Sequence, residues 1–352
     1  MSAKRWKLSA VAVFSVIFVA GAGFAFTRSA AQVGGKGATP DSGFDVLRLP
    51  NSIAGDAHLA DEKGFFAKYH IRVDWTGNLG HGPAGVVSVV AGQNDAAGSI
   101  STAMITARSS GAKVKIVAAS SGSTKEAPLF RYIVKDGSPI TGKPTDFIGK
   151  KVVANPATIT WYPLVVYLKR AGVDYHKVQF VSLPSPLATE QALNQGEVDV
   201  LAASDSGPPG SKLLKEGGYR VLPGISDFEV LGIDHIGGWV MREDFIQAHP
   251  HVVRRFIAAL AEADVWGNEH PTEAREIISR RMEVPAAYRK YQGVWRKAPP
   301  SALVDEASIR KWIAILEEFE QIPRGVVKPE DVFTNAYNPS VSSATGEATA
   351  VR

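Results

Sequence analysis

Cysteine is absent from this chain of 352 residues. Disulfides, thiolate catalysis, zinc or iron–sulfur sites built on Cys, and a lipid-anchored Cys are therefore excluded. An excess of charge is also absent from the body of the chain. All of the formal charge of +4 comes from four basic side chains in residues 1–31, and the remainder carries 35 basic and 35 acidic side chains. A neutral body lacks the positive face that nucleic-acid binding needs, so no nucleic-acid partner is expected.

The N-terminus has the pattern of an export signal. A basic segment, Lys4–Lys7, precedes an uncharged and almost wholly apolar run, Leu8–Phe26, and the small residues Ser29–Ala31 follow. This order predicts a secretory signal over residues 1–31 and a periplasmic location. The apolar run is also long enough to stay uncleaved as a membrane anchor, so both outcomes remain open. No other segment is apolar enough to cross a membrane.

The composition along the chain divides it into a linker, a folded body and a tail. Residues 32–43 are small, polar and rich in Gly, and residues 339–352 are rich in Ser, Ala and Thr. We expect a flexible linker and a disordered tail there. The body between them is long enough for two hydrophobic cores. Its predicted strands alternate with helices, which indicates an α/β fold with mainly parallel sheets.

The body contains an internal echo with an offset of 104 residues. Asn51 and Asn155 each end the first strand of a unit, and Gly92–Asp95 corresponds to Gly196–Asp199. In both units a helix ends at Gly, and an Asp three positions later opens a strand. Gly adopts the positive φ that closes a helix at little cost. The repetition predicts two lobes of similar plan.

The loops that follow the predicted strands are rich in small polar residues. Ligands of open parallel sheets bind at these carboxyl ends, and a helix that starts there offers free N–H groups to an anion. The candidate ligand-binding residues are Asn51, Ser52, Asp56, Gly80, His81, Ser101, Thr102, Thr158, Thr160, Trp161, Asp205 and His235. For three of these, a structural role is an equal alternative: Thr160 as an N-cap, Trp161 as a core residue and Asp205 as a loop cap.

Motifs of other functional classes are weak or missing. Gly80–Gly85 matches G-x-G-x-x-G, but no acidic residue ends the next strand, so a nicotinamide cofactor is not expected. His58, His81 and His235 lie near predicted loops without the spacing of a metal site. No G-x-S-x-G motif is present. The sequence therefore predicts no catalytic residue, metal or cofactor, and the protein is not expected to be an enzyme.

Several segments together resemble a known family. They are a helix followed by Gly-x-Phe and a strand (Ala57–Trp75), the two Gly-x-x-Asp segments, the strand Gly237–Phe245, and the helical segments His249–Phe256 and Asn268–Ala274. In this order they resemble the nitrate, aliphatic sulfonate and taurine substrate-binding proteins of ABC transporters, a group that includes thiamine-precursor-synthase-like proteins. The resemblance extends over most of residues 44–335.

The resemblance implies a type II periplasmic-binding-protein fold. Lobe one would comprise residues 44–135 and 236–335, with the C-terminal helices packed on it, and lobe two residues 136–235. The chain would cross between the lobes near Phe130–Lys135 and His235–Val240. A cleft between the lobes would capture a small organic anion such as an aliphatic sulfonate or taurine.

The implied partners are the ligand, an ABC permease and its ATPase. The protein would be a monomer that meets a membrane only through its leader or the transporter. Nitrate or a pyrimidine-type ligand, and an exported sensor or enzyme on the same fold, remain alternatives.

Overall fold

The computed structural model describes residues 43–51, 54–79, 83–120, 122–204, 207–291 and 298–344. The predicted leader, nearly all of the predicted linker and residues 345–352 lie outside these ranges. Ten strands occur among the described residues. They are β1 (Asp45–Asn51), β2 (Ile71–Asn78), β3 (Ala96–Ile100), β4 (Val114–Ala119), β5 (Arg131–Lys135), β6 (Lys151–Val153), β7 (Gln179–Val181), β8 (Val200–Ala203), β9 (Tyr219–Val221) and β10 (Gly237–Arg242).

The strands form three sheets, which we group into lobe one and lobe two. In lobe one, β1 pairs in parallel with β2, and β10 lies between β3 and β4, antiparallel to both. In lobe two the strand order is β7-β6-β8-β5-β9. Strand β6 is parallel to β7 and β8, whereas β5 is antiparallel to β8 and β9. The antiparallel strands β5 and β10 are those that follow the two crossings between lobes.

Most helices lie on one lobe only. Those of lobe one are α1 (Asp56–Glu62), α2 (Phe65–Lys68), α3 (Ala84–Val90), α4 (Ser101–Ser109), α9 (Glu243–Ala248), α10 (Pro250–Glu269), α11 (Pro271–Arg281), α12 (Ala286–Arg289), α14 (Pro329–Val332) and α15 (Pro339–Ala344). Those of lobe two are α5 (Tyr162–Arg170), α6 (Pro186–Gln195), α7 (Gly210–Glu216) and α8 (Asp227–Leu231). The long helix α10 packs against α1 and α2 through its apolar face, which includes Val253, Phe256 and Leu260.

The 104-residue echo corresponds to the same hydrogen-bonded corner in each lobe. The carboxylate of Asp95 accepts from the backbone N–H of Arg48 at 2.8 Å, and Asp199 accepts from the N–H of Lys151 at 2.9 Å. In return, the N–H of each Asp donates to the carbonyl of the same partner at 2.9 Å. Gly92 and Gly196 precede these corners with φ of +72° and +74°, as their helix-ending role requires.

Helix α13 (Glu306–Glu318) contacts both lobes. It packs on α4 of lobe one, while its buried Trp312 lies 6.0 Å, centroid to centroid, from Tyr162 of lobe two. Phe319, at its C-terminal end, contacts Trp161 at 5.4 Å, and Glu318 pairs with Lys169 at 2.8 Å. One continuous hydrophobic cluster therefore passes from lobe one through α13 into lobe two. The C-terminal helices are expected to pack on lobe one. Helices α10 and α11 do so, whereas α13 contacts both lobes and joins them.

Two predicted boundaries differ from the structure. Strand β5 pairs with β8 and β9, so the sheet of lobe two already begins at Arg131, before the predicted limit at residue 136. The tail predicted to be disordered from residue 339 begins with helix α15. Asn338 is fully buried and its side chain accepts from the N–H of Ser340 at 2.9 Å, which caps this helix. A single buried Asn outweighs the Ser- and Ala-rich composition that suggested disorder.

We expect Trp312→Ala to lower the free energy of unfolding by about 4 kcal/mol, because it removes a fully buried indole at the junction of the lobes. Trp266→Ala is the matched control, since Trp266 is half-buried and stacks on His270 at the surface of α10. Equilibrium unfolding in urea measures both. Equal losses for the two variants would contradict the joining role of α13.

Candidate ligand-binding site

The predicted residues of lobe one are anchored at the ends of β1 and β3. Asn51 ends β1, and its Nδ2 donates to the carbonyl of Arg281 at 3.2 Å. Its Oδ1 is buried and has no hydrogen-bond partner among the described residues. An unmatched buried acceptor of this kind costs free energy.

Ser101 and Thr102 open helix α4 directly after β3. Both are buried, with Ser101 0% and Thr102 4% exposed. The N–H of Ser101 donates to the carbonyl of Ile236 at 2.8 Å, which ties the start of α4 to the crossing that leads into β10. The hydroxyl of Ser101 has no partner within the described ranges. A buried, unpartnered hydroxyl at a helix start has the position and chemistry of a ligand contact.

In lobe two, the loop from Asn155 to Trp161 follows β6 and folds back on itself. The hydroxyl of Thr158 donates to the carbonyl of Asn155 at 2.7 Å and lies 2.8 Å from the hydroxyl of Thr160. Thr160 in turn accepts from the N–H of Asn155 at 3.1 Å. Ala157, between Asn155 and Thr158, has a φ of +60°, a backbone conformation that is unfavourable for residues other than Gly. The two hydroxyls thus form a rigid pair at the strand end.

Trp161 lies in a cluster of aromatic rings rather than beside an open surface. It is 8% exposed and makes edge-to-face contacts with Tyr162, Tyr175, Phe180 and Phe319 at centroid distances of 5.3 to 5.9 Å. This packing accounts for Trp161 as a core residue, the alternative that its sequence position left open. Its role as a wall for a ligand stays a prediction.

Asp56 has a structural partner. Its two carboxylate oxygens each accept from the indole Nε1 of Trp239 at 3.0 Å, and one accepts from the N–H of Ala57. Burial raises the pKa of Asp56 to about 6, although the bond from Trp239 opposes the shift. The carboxyl of Asp264 on α10 is also buried, without a hydrogen-bond partner among the described residues. Burial, and secondarily the charge of Asp56, raise the pKa of Asp264 well above its ordinary value.

His235 lies at the crossing into β10. Its backbone N–H donates to the hydroxyl of Ser308 at 3.3 Å, and its carbonyl accepts from Nε1 of Trp312 at 3.1 Å. Burial lowers the pKa of the ring to about 4, against the opposing charge of Asp305. The imidazole is therefore neutral at neutral pH and can donate a hydrogen bond without adding charge.

The described site residues form separate groups. Asp56, Ser101 and His235 are connected through β10 and the residues before it, and Thr158, Thr160 and Trp161 form the group of lobe two. Ser52, Gly80, His81 and Asp205 lie outside the described residues. Trp239, which fixes Asp56, was missed as a site-forming residue. The signal for it was the pair Gly237-Gly238 inside a strand, since Gly there marks a close backbone approach.

The described residues show neither a metal cluster nor a membrane-spanning helix. No cluster of three or more His, Cys, Asp or Glu side chains suited to a metal ion occurs in that part of the chain. None of its helices is both long and apolar enough to span a bilayer.

The sequence of the chain is similar to that of known proteins. A family model described as "NMT1/THI5 like" matches residues 55–274, more than half of the chain. The taurine-binding periplasmic protein of Escherichia coli (strain K12) is 32% identical over 132 residues, a match that covers 35% of this chain and 40% of that protein. The match thus spans less than half of the relative's length.

Among solved structures, the periplasmic aliphatic sulphonate binding protein SsuA from Escherichia coli is similar with a TM-score of 0.66 and 21% identity, over 82% of this chain and 92% of that one. The desulfurization enzyme DSZB is similar with a TM-score of 0.59 and 15% identity, over 85% and 99% of the two chains. These likenesses confirm the predicted two-lobed periplasmic-binding-protein fold. They also show that this fold carries an enzyme as well as binding proteins.

We expect the stability of the protein to fall as the pH rises from about 4 toward neutral. Burial raises the pKa of Asp56 to about 6 and also raises that of Asp264, so the folded state keeps both protons at a pH where the unfolded chain has lost them. Asp264→Asn removes one of these buried carboxyls. At pH 8 it should raise the free energy of unfolding by at least about 1 kcal/mol, and at pH 4 it should change little. Thermal unfolding between pH 4 and 8 measures this.

The control for this comparison is Asp136→Asn, which alters an exposed carboxyl. A wild-type protein whose stability is flat from pH 5 to 8, or an equal effect of both substitutions, would show that the two buried carboxyls do not titrate in this range.

Proposed function

The chain belongs to the NMT1/THI5-like family, as its sequence predicts, and from this premise we propose that it is the periplasmic solute-binding component of an ABC importer. It captures a small organic anion, an aliphatic sulfonate or taurine, in the cleft between its lobes and delivers it to a permease and its ATPase. The names of the similar proteins support this role: one binds taurine and another an aliphatic sulphonate. The role requires no catalytic residue, metal or cofactor.

The observation that carries the proposal is the hydroxyl of Ser101. It is fully buried, lacks a partner among the described residues and stands at the first residue of a nine-residue helix. A sulfonate oxygen placed there accepts from the hydroxyl and from first-turn N–H groups of α4, which have no partners within the helix. Because charge is balanced over residues 32–352, anion selectivity comes from such local donors rather than from the field of the whole protein.

Lobe two supplies the opposite side of the cleft in this proposal. The hydroxyls of Thr158 and Thr160 are held 2.8 Å apart by the bonds of their loop, and the ligand contacts them as a fixed pair. The two chain crossings, before β5 and before β10, act as the hinge about which the lobes close. His235 lies at one crossing, where its backbone N–H and carbonyl bond to Ser308 and Trp312 of the joining helix α13.

We expect aliphatic sulfonates or taurine to raise the melting temperature of residues 32–352, because a ligand that binds only the folded state stabilises it by mass action. A thermal-shift screen should include nitrate, carboxylates and pyrimidines as competing classes. Stabilisation by nitrate or a pyrimidine alone would replace the sulfonate assignment but keep the binding role. A flat response to every anion would contradict the proposal.

We expect Ser101→Ala to weaken binding of the best sulfonate by about tenfold, the cost of one hydrogen bond to a charged group. The matched control is Ser110→Ala at the other end of α4, where the hydroxyl is exposed and bonds only to the carbonyl of Thr106. Isothermal titration calorimetry gives both affinities, and urea unfolding checks that stability is retained. Equal affinities in the two variants would remove Ser101 from the site.

A further inference from the structure

A second concave site lies away from the strand ends. A groove of about 420 Å³ separates α7 of lobe two from α11 and α12 of lobe one. Its lining contains five basic side chains, Lys215, Arg275, Arg280, Arg289 and Lys290. Among the described residues that line it, one is acidic, Glu276. The groove therefore concentrates positive charge, although the basic and acidic residues of residues 32–352 as a whole are equal in number.

The groove crosses the junction between the lobes. The ammonium of Lys215 on α7 donates to the carbonyl of Lys290, which follows α12, at 3.3 Å. Beside it, the hydroxyl of Tyr291 donates to Glu216, and the ammonium of Lys212 lies 5.9 Å from the ring centre of Tyr288. An anion in this groove would thus contact cationic groups of both lobes at once.

Several of these cations are already held in place. Nε of Arg289 donates to the carbonyl of Val284 at 2.8 Å, and Arg280 pairs with Glu62 at 2.6 Å. Lys290 has its ammonium 4.7 Å from the ring centre of Tyr291. Carbonyl and ring partners orient Arg289 and Lys290, and no carboxylate among the described residues pairs with either charge. Like charges gathered in this way repel one another, and a multiply charged anion relieves that repulsion.

The chemistry of the lining indicates which anion fits. Guanidinium groups match the oxygens of a phosphate in paired hydrogen bonds, and ammonium groups act as additional point charges. A volume of about 420 Å³ suits a small ligand rather than a protein segment. None of the predicted strand-end residues that the structure describes lines the groove. The nearest connection is Asn51, which bonds to the carbonyl of Arg281, the neighbour of Arg280.

We propose that the groove between α7 and α11–α12 is a second anion site, which binds a phosphate oxyanion carrying two or more negative charges across the junction of the lobes. The lining of this site shares no described residue with the proposed sulfonate contacts, and its existence does not depend on what those contacts bind. The phosphate has two possible sources, a free polyphosphate or the headgroup of an anionic phospholipid, and these share the same oxygens.

The test uses inorganic pyrophosphate as the probe, titrated calorimetrically into residues 32–352 at low salt. Lys215→Ala and Arg289→Ala should each weaken its binding by about tenfold, since each removes a charged donor from one lobe. Glu276→Gln should strengthen binding, because it removes the acidic lining residue, and misfolding cannot produce such a gain. Raising the salt from about 50 to 200 mM should weaken binding by screening.

The matched controls are Lys177→Ala and Arg310→Ala, exposed basic residues outside the groove, which should bind pyrophosphate like the wild type. Ser101→Ala should also retain pyrophosphate binding, so failure of the sulfonate proposal and failure of this one are distinguishable. Flotation with phosphatidic acid vesicles, whose phosphomonoester headgroup can carry two negative charges, against phosphatidylcholine vesicles, tests the lipid source with the same variants. If the groove variants lose binding to free pyrophosphate or to the vesicles, the result supports the site. Unchanged binding in those variants, or no binding in both assays, overturns it.

Discussion

Strand β10 lies between β3 and β4 because its first two residues have no side chains. A Cβ on Gly238 would stand 2.3 Å from the carbonyl oxygen of Ala118, and one on Gly237 would stand 2.6 Å from that of Ser99. Any larger residue would push the strands apart at the point where the chain returns to lobe one. The next residue, Trp239, is fully buried and donates its indole N–H to Asp56. The close approach of these three strands therefore fixes the start of α1 as well as the sheet.

The same short segment connects the candidate site to the hinge. Ile236 accepts from the first N–H of α4, while His235 accepts from Trp312 of α13. A rotation at this crossing would therefore displace both the start of α4, where the buried hydroxyl of Ser101 lies, and the helix that joins the lobes. Two carboxyls are buried beside this arrangement, and Asp264 has no hydrogen-bond partner in the part of the chain that the structure describes. The free-energy cost of burying a carboxyl is tolerated where the fixed position of the side chain matters more than stability.

Part of this structure could be predicted from residues that lie close together in the sequence. Gly92 and Gly196 end helices, and Asp95 and Asp199 each accept from a backbone N–H of a neighbouring strand, so a short motif appears twice with similar geometry. The long helices also followed from the spacing of their apolar residues. In contrast, the resemblance placed β5 in lobe one although it pairs with β8 and β9 of lobe two, because a short, mainly apolar strand fits either sheet. Nor could it distinguish a buried Trp161 from an exposed one, since the surrounding rings come from distant positions.

By itself, the sequence determined the α/β class, the two-lobed plan, the family and the balanced charge of the body, since these depend on composition, periodicity and residues close along the chain. Only the tertiary structure decided that α13 joins the lobes, that Asp56 holds Trp239, and that five cations meet between α7 and α12. Each of these contacts unites residues from different units of the chain, Asp56 with Trp239 and Lys215 with Lys290 among them. Their proximity results from the packing of whole lobes, which no local pattern encodes.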